Sequence, residues 1–293
     1  MKKIVWLYHL LITTIFRIKR FVRLSDLQNS DRRIMLFHEV DISEEKRFTE
    51  QIENCSKNWN FINPDQLDLK KNGTVTRDSR ELILTFDDGF SSDFRIAQNV
   101  LNPRGIKAIF FIIPEFVSLA TEGDQTRFIS DRLYPGTKTS RVPMHLRSMN
   151  WEQISILSHQ GHTIGSHSYS HKRLSAITNE DELAHEIVDS GRSIENIIKK
   201  KVDHFAFPFG NLSSMSVRAL QIARDNYRYI YSGLRGSNYQ IPAENVLRRE
   251  TIFPWDPKGF ESAVLSGAGD SRFRSSLSVM DCWANEISKR SKP

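Results

Sequence analysis

The stretch ELILTFDDG (81–89) decides the fold. Its first six residues form a short, continuous apolar run with the length of a buried strand, and the run stops abruptly at Asp87-Asp88-Gly89, which reads as a turn. Upstream, RIMLFH (33–38) is a second short apolar run and reads as a strand ending in a histidine. Ser43 opens a helical stretch with Phe48, Ile52 and Cys55 on one face, and NFIN (60–63) is a further short strand candidate. Asn63-Pro64-Asp65 starts a turn or a short helix through Leu69, and Lys70 to Arg80 reads as a polar loop. Downstream, the pattern predicts a helix over 92–101, a strand over 107–113, a helix over 151–160 and a strand over 162–166. A helix over 180–199, a strand over 204–208, a helix over 214–225 and a strand over 227–231 follow. Alternation of this kind specifies an α/β fold with a mostly parallel sheet covered by helices, open or closed into a barrel. Residues 118–148, with Gly123, Pro135, Gly136 and Pro143, show no sustained period and read as a long loop. Residues 257–293 read as a peripheral, Ser-rich C-terminal tail.

In such folds the groups that handle ligands cluster beyond the carboxyl ends of the strands. The strand 81–86 ends in the paired carboxylates Asp87 and Asp88, and the strand 162–166 ends in His167, with His171 four residues later. That HxxxH spacing lets two imidazoles meet one ion, on a helix or in a tight loop. An aspartate with two histidines is a mixed donor set suited to Zn²⁺ or another divalent transition metal, leaving the second aspartate free as a base. Each feature alone is commonplace, since Asp-Asp-Gly is most often only a turn and surface helices carry HxxxH by chance. Both at strand ends of one alternating fold make coincidence a poor explanation.

TFDDG (85–89), SHSYSH (166–171) and FAFPFG (205–210) resemble, in order and spacing, the first three motifs of the polysaccharide deacetylase family (NodB homology, carbohydrate esterase 4). GIKAIFFI (105–112), MNWEQI (149–154) and GHTIGSHSYSH (161–171) are similar to it as well. The resemblance covers roughly residues 33–255 and implies a distorted (β/α) barrel with fewer repeats than an eight-fold one. It further implies metal-dependent N-deacetylation of an amino sugar in a polysaccharide or lipid-linked saccharide. Asp87 would be the base, Asp88, His167 and His171 the metal ligands, and the Phe209 backbone N–H, after Pro208, a donor to the oxyanion. Zn²⁺ is the expected ion, with Co²⁺, Ni²⁺ or Mn²⁺ as replacements.

The sequence departs from the family pattern twice. Ala206 stands where the third motif usually has arginine, and the late Leu-x-His motif that supplies the usual general acid is missing, the nearest stretch being VLRRE (246–250). A subgroup resembling surface-polysaccharide (poly-N-acetylglucosamine-type) deacetylases carries an early histidine instead. LFHEV (36–40) is similar to that pattern and offers His38 as the acid, with Arg249 in place of the missing arginine as the partner that orients Asp87. The departures also keep open a catalytically impaired carbohydrate-binding pseudoenzyme, or an esterase or deformylase on the same scaffold.

The 293 residues divide on this reading into an arm (1–32), a catalytic domain (33–256) and the tail (257–293). Two cysteines are too few for a disulfide framework or a cysteine-built zinc site. The formal charge of +6 belongs to one end, because residues 1–33 hold eight basic and two acidic residues while residues 34–293 are neutral. That asymmetry argues against a nucleic-acid groove. Within the arm, IVWLYHLLITTIF (4–16) is too short to span a bilayer. Continued to Leu24 as a helix, it aligns Ile4, Tyr8, Leu11, Ile15, Ile18 and Val22, with Lys19, Arg20 and Arg23 on its later turns. A basic amphipathic helix of residues 1–24 on an anionic membrane surface fits, and a helix packed on the protein's own core fits equally on spacing. The expectation is peripheral attachment to the cytoplasmic face of the inner membrane. The alternative is export to the cell envelope behind an uncleaved anchor.

Overall fold

The computed structural model describes residues 5–14, 30–67 and 79–290. Among them lie eight strands: β1 (Asp31–Phe37), β2 (Asn60–Phe61), β3 (Arg80–Phe86), β4 (Ala108–Ile112), β5 (Thr163–Ser166), β6 (His204–Ala206), β7 (Tyr229–Tyr231) and β8 (Glu250–Thr251). All pair in parallel in the order β7-β6-β5-β4-β3-β1-β8, with β2 also on β3. The segment around β8 bridges the two edges of this curled sheet. The Leu247 N–H donates to Ile230 O at 2.7 Å on one side, and the Ile252 N–H donates to Leu36 O at 3.1 Å on the other. The expected distorted (β/α) barrel is what forms.

Strand alternation sorts the core into two layers. Leu82, Leu84 and Phe86 of β3, with Phe110 of β4 and Phe205 of β6, face the surrounding helices in the larger core. Phe37, Phe48, Phe86 and Phe110 interlock there at ring separations of 5.0–6.0 Å. Ile83, Ile109, Phe111, Ala206, Tyr229, Tyr231 and Leu247 fill the barrel interior. Burial on both faces explains why these strands read as continuous apolar runs. Gly165 of β5 makes the interior fit, because a Cβ there would stand 2.5 Å from the Phe111 ring.

Two segments differ from expectation. Residues 118–148 hold helix Glu122–Phe128, a π turn (Ile129–Leu133) and a 3-10 turn (Thr139–Arg141). They build their own small core of Phe128, Ile129, Leu133, Val142 and Leu146 against Phe90, Ile113 and Phe116. Residues 257–290 contain helices Phe260–Leu265 and Arg274–Arg290, and Leu277, Met280, Ala284 and Ile287 of the latter join the main core. A tail that buries four side chains in the core is a packed outer layer of the domain.

Of the arm, residues 5–14 are helical, and the expected continuation to Leu24 lies outside the described residues, as do residues 68–78. Among the described residues no helix is long and apolar enough to cross a membrane.

Candidate active site

The inward parity of β3 that carries Ile83 and Thr85 continues to Asp87, which emerges at the carboxyl end of the barrel almost fully buried. Asp88 then takes φ = 76° and Gly89 φ = 79°, so the chain turns away at once and both carboxylates stay at the strand end. Of six non-glycine residues with positive φ among the described residues, four are Asp88, Ser168, His171 and Phe209. Backbone in this costly region persists where surrounding structure holds it, which is characteristic of functional sites.

His167 follows β5, and His171 returns through a tight loop in which Ser168 has φ = 61°. The HxxxH pair therefore meets across a loop, with ring centroids 5.1 Å apart. His167 Nδ1 lies 2.8 Å from Ala206 O and His171 Nδ1 lies 3.1 Å from Arg132 O. A carbonyl only accepts, so each Nδ1 carries the proton and each Nε2 presents a lone pair. Both Nε2 atoms face Asp88 Oδ1, at 3.5 Å from His167 and 3.6 Å from His171. Burial holds the His167 imidazole neutral down to about pH 4, and burial with the neighbouring His167 lowers His171 as well.

Asp88 is raised well above the usual carboxylate range by burial and by the charges of Asp87 and Glu39. Its buried Oδ1 has no hydrogen-bond partner among the described residues. An orphaned carboxylate oxygen facing two imidazole lone pairs is costly without a cation and natural with one. Asp88, His167 and His171 bring three ligand atoms within 4.8 Å of one another, so the donor set fits a divalent metal.

Arg249, fully buried, precedes β8 and reaches across the interior to Asp87. Its Nη1–H donates to Asp87 Oδ1 at 2.7 Å and its Nη2–H to Oδ2 at 2.9 Å, while Nε–H donates to Ser232 O at 2.8 Å. The guanidinium also lies over the Phe111 and Tyr231 rings at 5.2 and 5.9 Å. Burial alone would raise the Asp87 carboxyl, but the Arg249 charge and its hydrogen bonds hold it below the usual value, ionised at neutral pH. Ala206 faces the same interior, so the cation reaches Asp87 from a different part of the barrel from β6.

His38 is half-buried and directly follows Phe37, whose carbonyl accepts from the Asp87 N–H at 3.0 Å, so it leaves β1 beside Asp87 at the carboxyl end of the sheet. Phe209 is half-buried with φ = 61°, its ring 4.6 Å from His171 and 4.7 Å from the Arg173 guanidinium. Gly210 closes that turn against Gly233, whose N–H donates to Gly210 O at 2.7 Å. A Cβ on Gly210 would sit 2.5 Å from Gly233 N. The site thus brings together Asp87, Asp88, His167, His171, Phe209 and Arg249, with Pro208 preceding Phe209 in its turn and His38 following β1 next to the strand that ends in Asp87.

Sequence reasoning missed a surrounding layer. The Tyr134 hydroxyl donates to Glu39 Oε2 at 2.7 Å. Asp93 is fully buried with one oxygen unpartnered among the described residues, its carboxyl raised by burial and by Asp88. Arg132 contributes its carbonyl, which no side-chain motif reveals. Glu39 adjoins His38 and was the legible one of these.

A family profile described as polysaccharide deacetylase matches residues 74–229. A Bacillus subtilis protein, YxkH, described as a candidate polysaccharide deacetylase, is 20% identical over 194 residues, 64% of this chain and 60% of that protein's length. The structure of IcaB from Ammonifex degensii superposes with a TM-score of 0.62 at 20% identity, covering 83% of this chain and all of that one. The deacetylase domain of BpsB from Bordetella bronchiseptica gives 0.61 at 16% identity, covering 78% and 98%.

Proposed function

The chain belongs to the polysaccharide deacetylase family, and from that premise we propose that it hydrolyses the N-acetyl group of an amino sugar with the help of a divalent metal. The substrate would be a polysaccharide or a lipid-linked saccharide of exopolysaccharide synthesis. The observation that carries the reading is the buried, unpartnered Asp88 Oδ1 opposite two neutral imidazoles. A divalent ion held by Asp88, His167 and His171, Zn²⁺ by default for this donor set, would polarise the amide carbonyl and acidify the attacking water.

Asp87 accepts the proton of that water at Oδ2, the oxygen 3.6 Å from His167 Nε2. Arg249 keeps this carboxylate ionised and fixed in direction by gripping both oxygens. The Phe209 N–H, on the turn set by Pro208, donates to the amide oxygen as it gains charge. His38 protonates the nitrogen as the C–N bond breaks, so the products are acetate and a free amine. The test is mass spectrometry of N-acetylglucosamine oligomers and lipid-linked amino sugars after incubation with the metal-loaded protein. Loss of acetyl groups with matching acetate is expected. Tight glycan binding without acetate release would instead favour a pseudoenzyme.

A further inference from the structure

The helix of residues 5–14 has two unlike faces. Its inner face is built into the domain. His9 Nδ1 lies 2.5 Å from Oδ1 of the buried Asp256, and the His9 ring stacks on Phe260 at 3.9 Å and 14°. Ile12 packs with Phe260, Ala263 and Val264, Tyr8 lies against them under the Arg272 guanidinium at 4.6 Å, and Thr13 is buried. The outer face carries Trp6 (39% exposed), Leu7 (60%), Leu10 (37%) and Leu11 (57%). These positions occupy one continuous arc of a 3.6-residue helix. They are four of the eight exposed large hydrophobic residues among the described residues, gathered on ten residues of chain. The apolar face expected from spacing is therefore divided, with Tyr8 turned inward and Leu11 outward.

We propose that this outer face docks flat on an anionic lipid surface. Charge selects that occupant. In the sequence, Lys2 and Lys3 precede the apolar face and Arg17, Lys19, Arg20 and Arg23 follow it, while residues 34–293 carry no net charge. An apolar stripe with cationic residues on both flanks complements an acidic bilayer, whose hydrocarbon takes the leucines and Trp6 and whose headgroups attract the cations. With its inner face packed on Asp256 and Phe260, the described stretch can offer a bilayer only its outer face, so it lies along the interface. His9, through Asp256 in the segment leaving β8, and Ile12, through the helix Phe260–Leu265, fix that surface to the domain. The inference does not depend on the catalytic reading.

The test is co-sedimentation of the full chain with phosphatidylcholine vesicles and with vesicles that also contain phosphatidylglycerol. The wild-type chain is expected to pellet with the anionic vesicles and to be released by salt. A Leu7→Ser/Leu10→Ser/Leu11→Ser variant should bind about tenfold or more weakly with an unchanged unfolding temperature, since all three side chains face outward. As a second reading on the intact face, brominated lipid should quench wild-type fluorescence, and the quenching should be lost in Trp6→Phe. Absence of wild-type binding, or a triple variant that pellets like wild type, overturns the proposal. So does a wild-type dimer by light scattering that the triple variant dissolves, since a second copy would then cover the face.

Discussion

Arg249 and Asp87 form a pair in which neither partner can be removed cheaply. Both are buried, so Arg249→Met leaves a carboxylate in the interior with no cation, at a cost of about 3–5 kcal/mol. Arg249→Lys keeps the charge but cannot grip both oxygens. It should leave KM near wild type and lower kcat about 10- to 100-fold, because only the direction of the base changes. Steady-state kinetics and thermal unfolding of the two variants check this, and an Arg249→Met protein as stable as wild type would contradict the pairing. His38→Ala should slow turnover by roughly 10²–10⁴-fold at full metal occupancy, the usual loss of a general acid. Full activity in that variant would place the acid elsewhere.

At the scale of elements, the barrel interior transmits packing to the site. Gly165→Ala would drive a methyl into the Phe111 ring at 2.5–2.6 Å, and Phe111 is the ring beneath Arg249. The expected result is a loss of about 1–3 kcal/mol together with reduced kcat, both partly restored by adding Phe111→Leu. An unchanged unfolding temperature in the single variant would contradict this packing. β3 was legible because ELILTF is a mostly apolar run that stops at Asp87, whereas HTIGS, with Ile164 as its one large apolar side chain, was legible from its place in the alternation of strands and helices. β8 was not legible, since two residues paired to β1 leave no periodic pattern, and Arg249 was found only through the resemblance. The helices within 118–148 escaped because their turns are short and broken by a π turn, and their apolar residues pack on Phe90, Ile113 and Phe116 rather than on the sheet. The helix Arg274–Arg290 escaped because four core contacts sit among serines and charges.

Across the whole molecule, buried histidines make stability depend on pH. Burial lowers His204 to about 3, and burial with Lys107 lowers His162 to about 4. The unfolded chain, with histidines near 6.5, binds more protons than the folded one between those values, so stability is full above about pH 6.5 and falls as pH drops toward 4. At pH 5 the loss is about 2 kcal/mol for each such histidine. Thermal unfolding of metal-free protein at pH 7.5 and pH 5 checks this, and equal unfolding temperatures would contradict it. In the proposed mechanism two adjacent aspartates take opposite tasks, with Asp87, gripped by Arg249, as the base and Asp88 as a metal ligand. The most direct measurement of that division is bound Zn²⁺ and acetate release determined on the same preparations of wild type, Asp87→Asn and Asp88→Asn. Metal near one equivalent in wild type and Asp87→Asn, turnover in wild type alone, and loss of both metal and turnover in Asp88→Asn is the expected result. Metal retained at full occupancy in Asp88→Asn, or acetate release undiminished in Asp87→Asn, would contradict it.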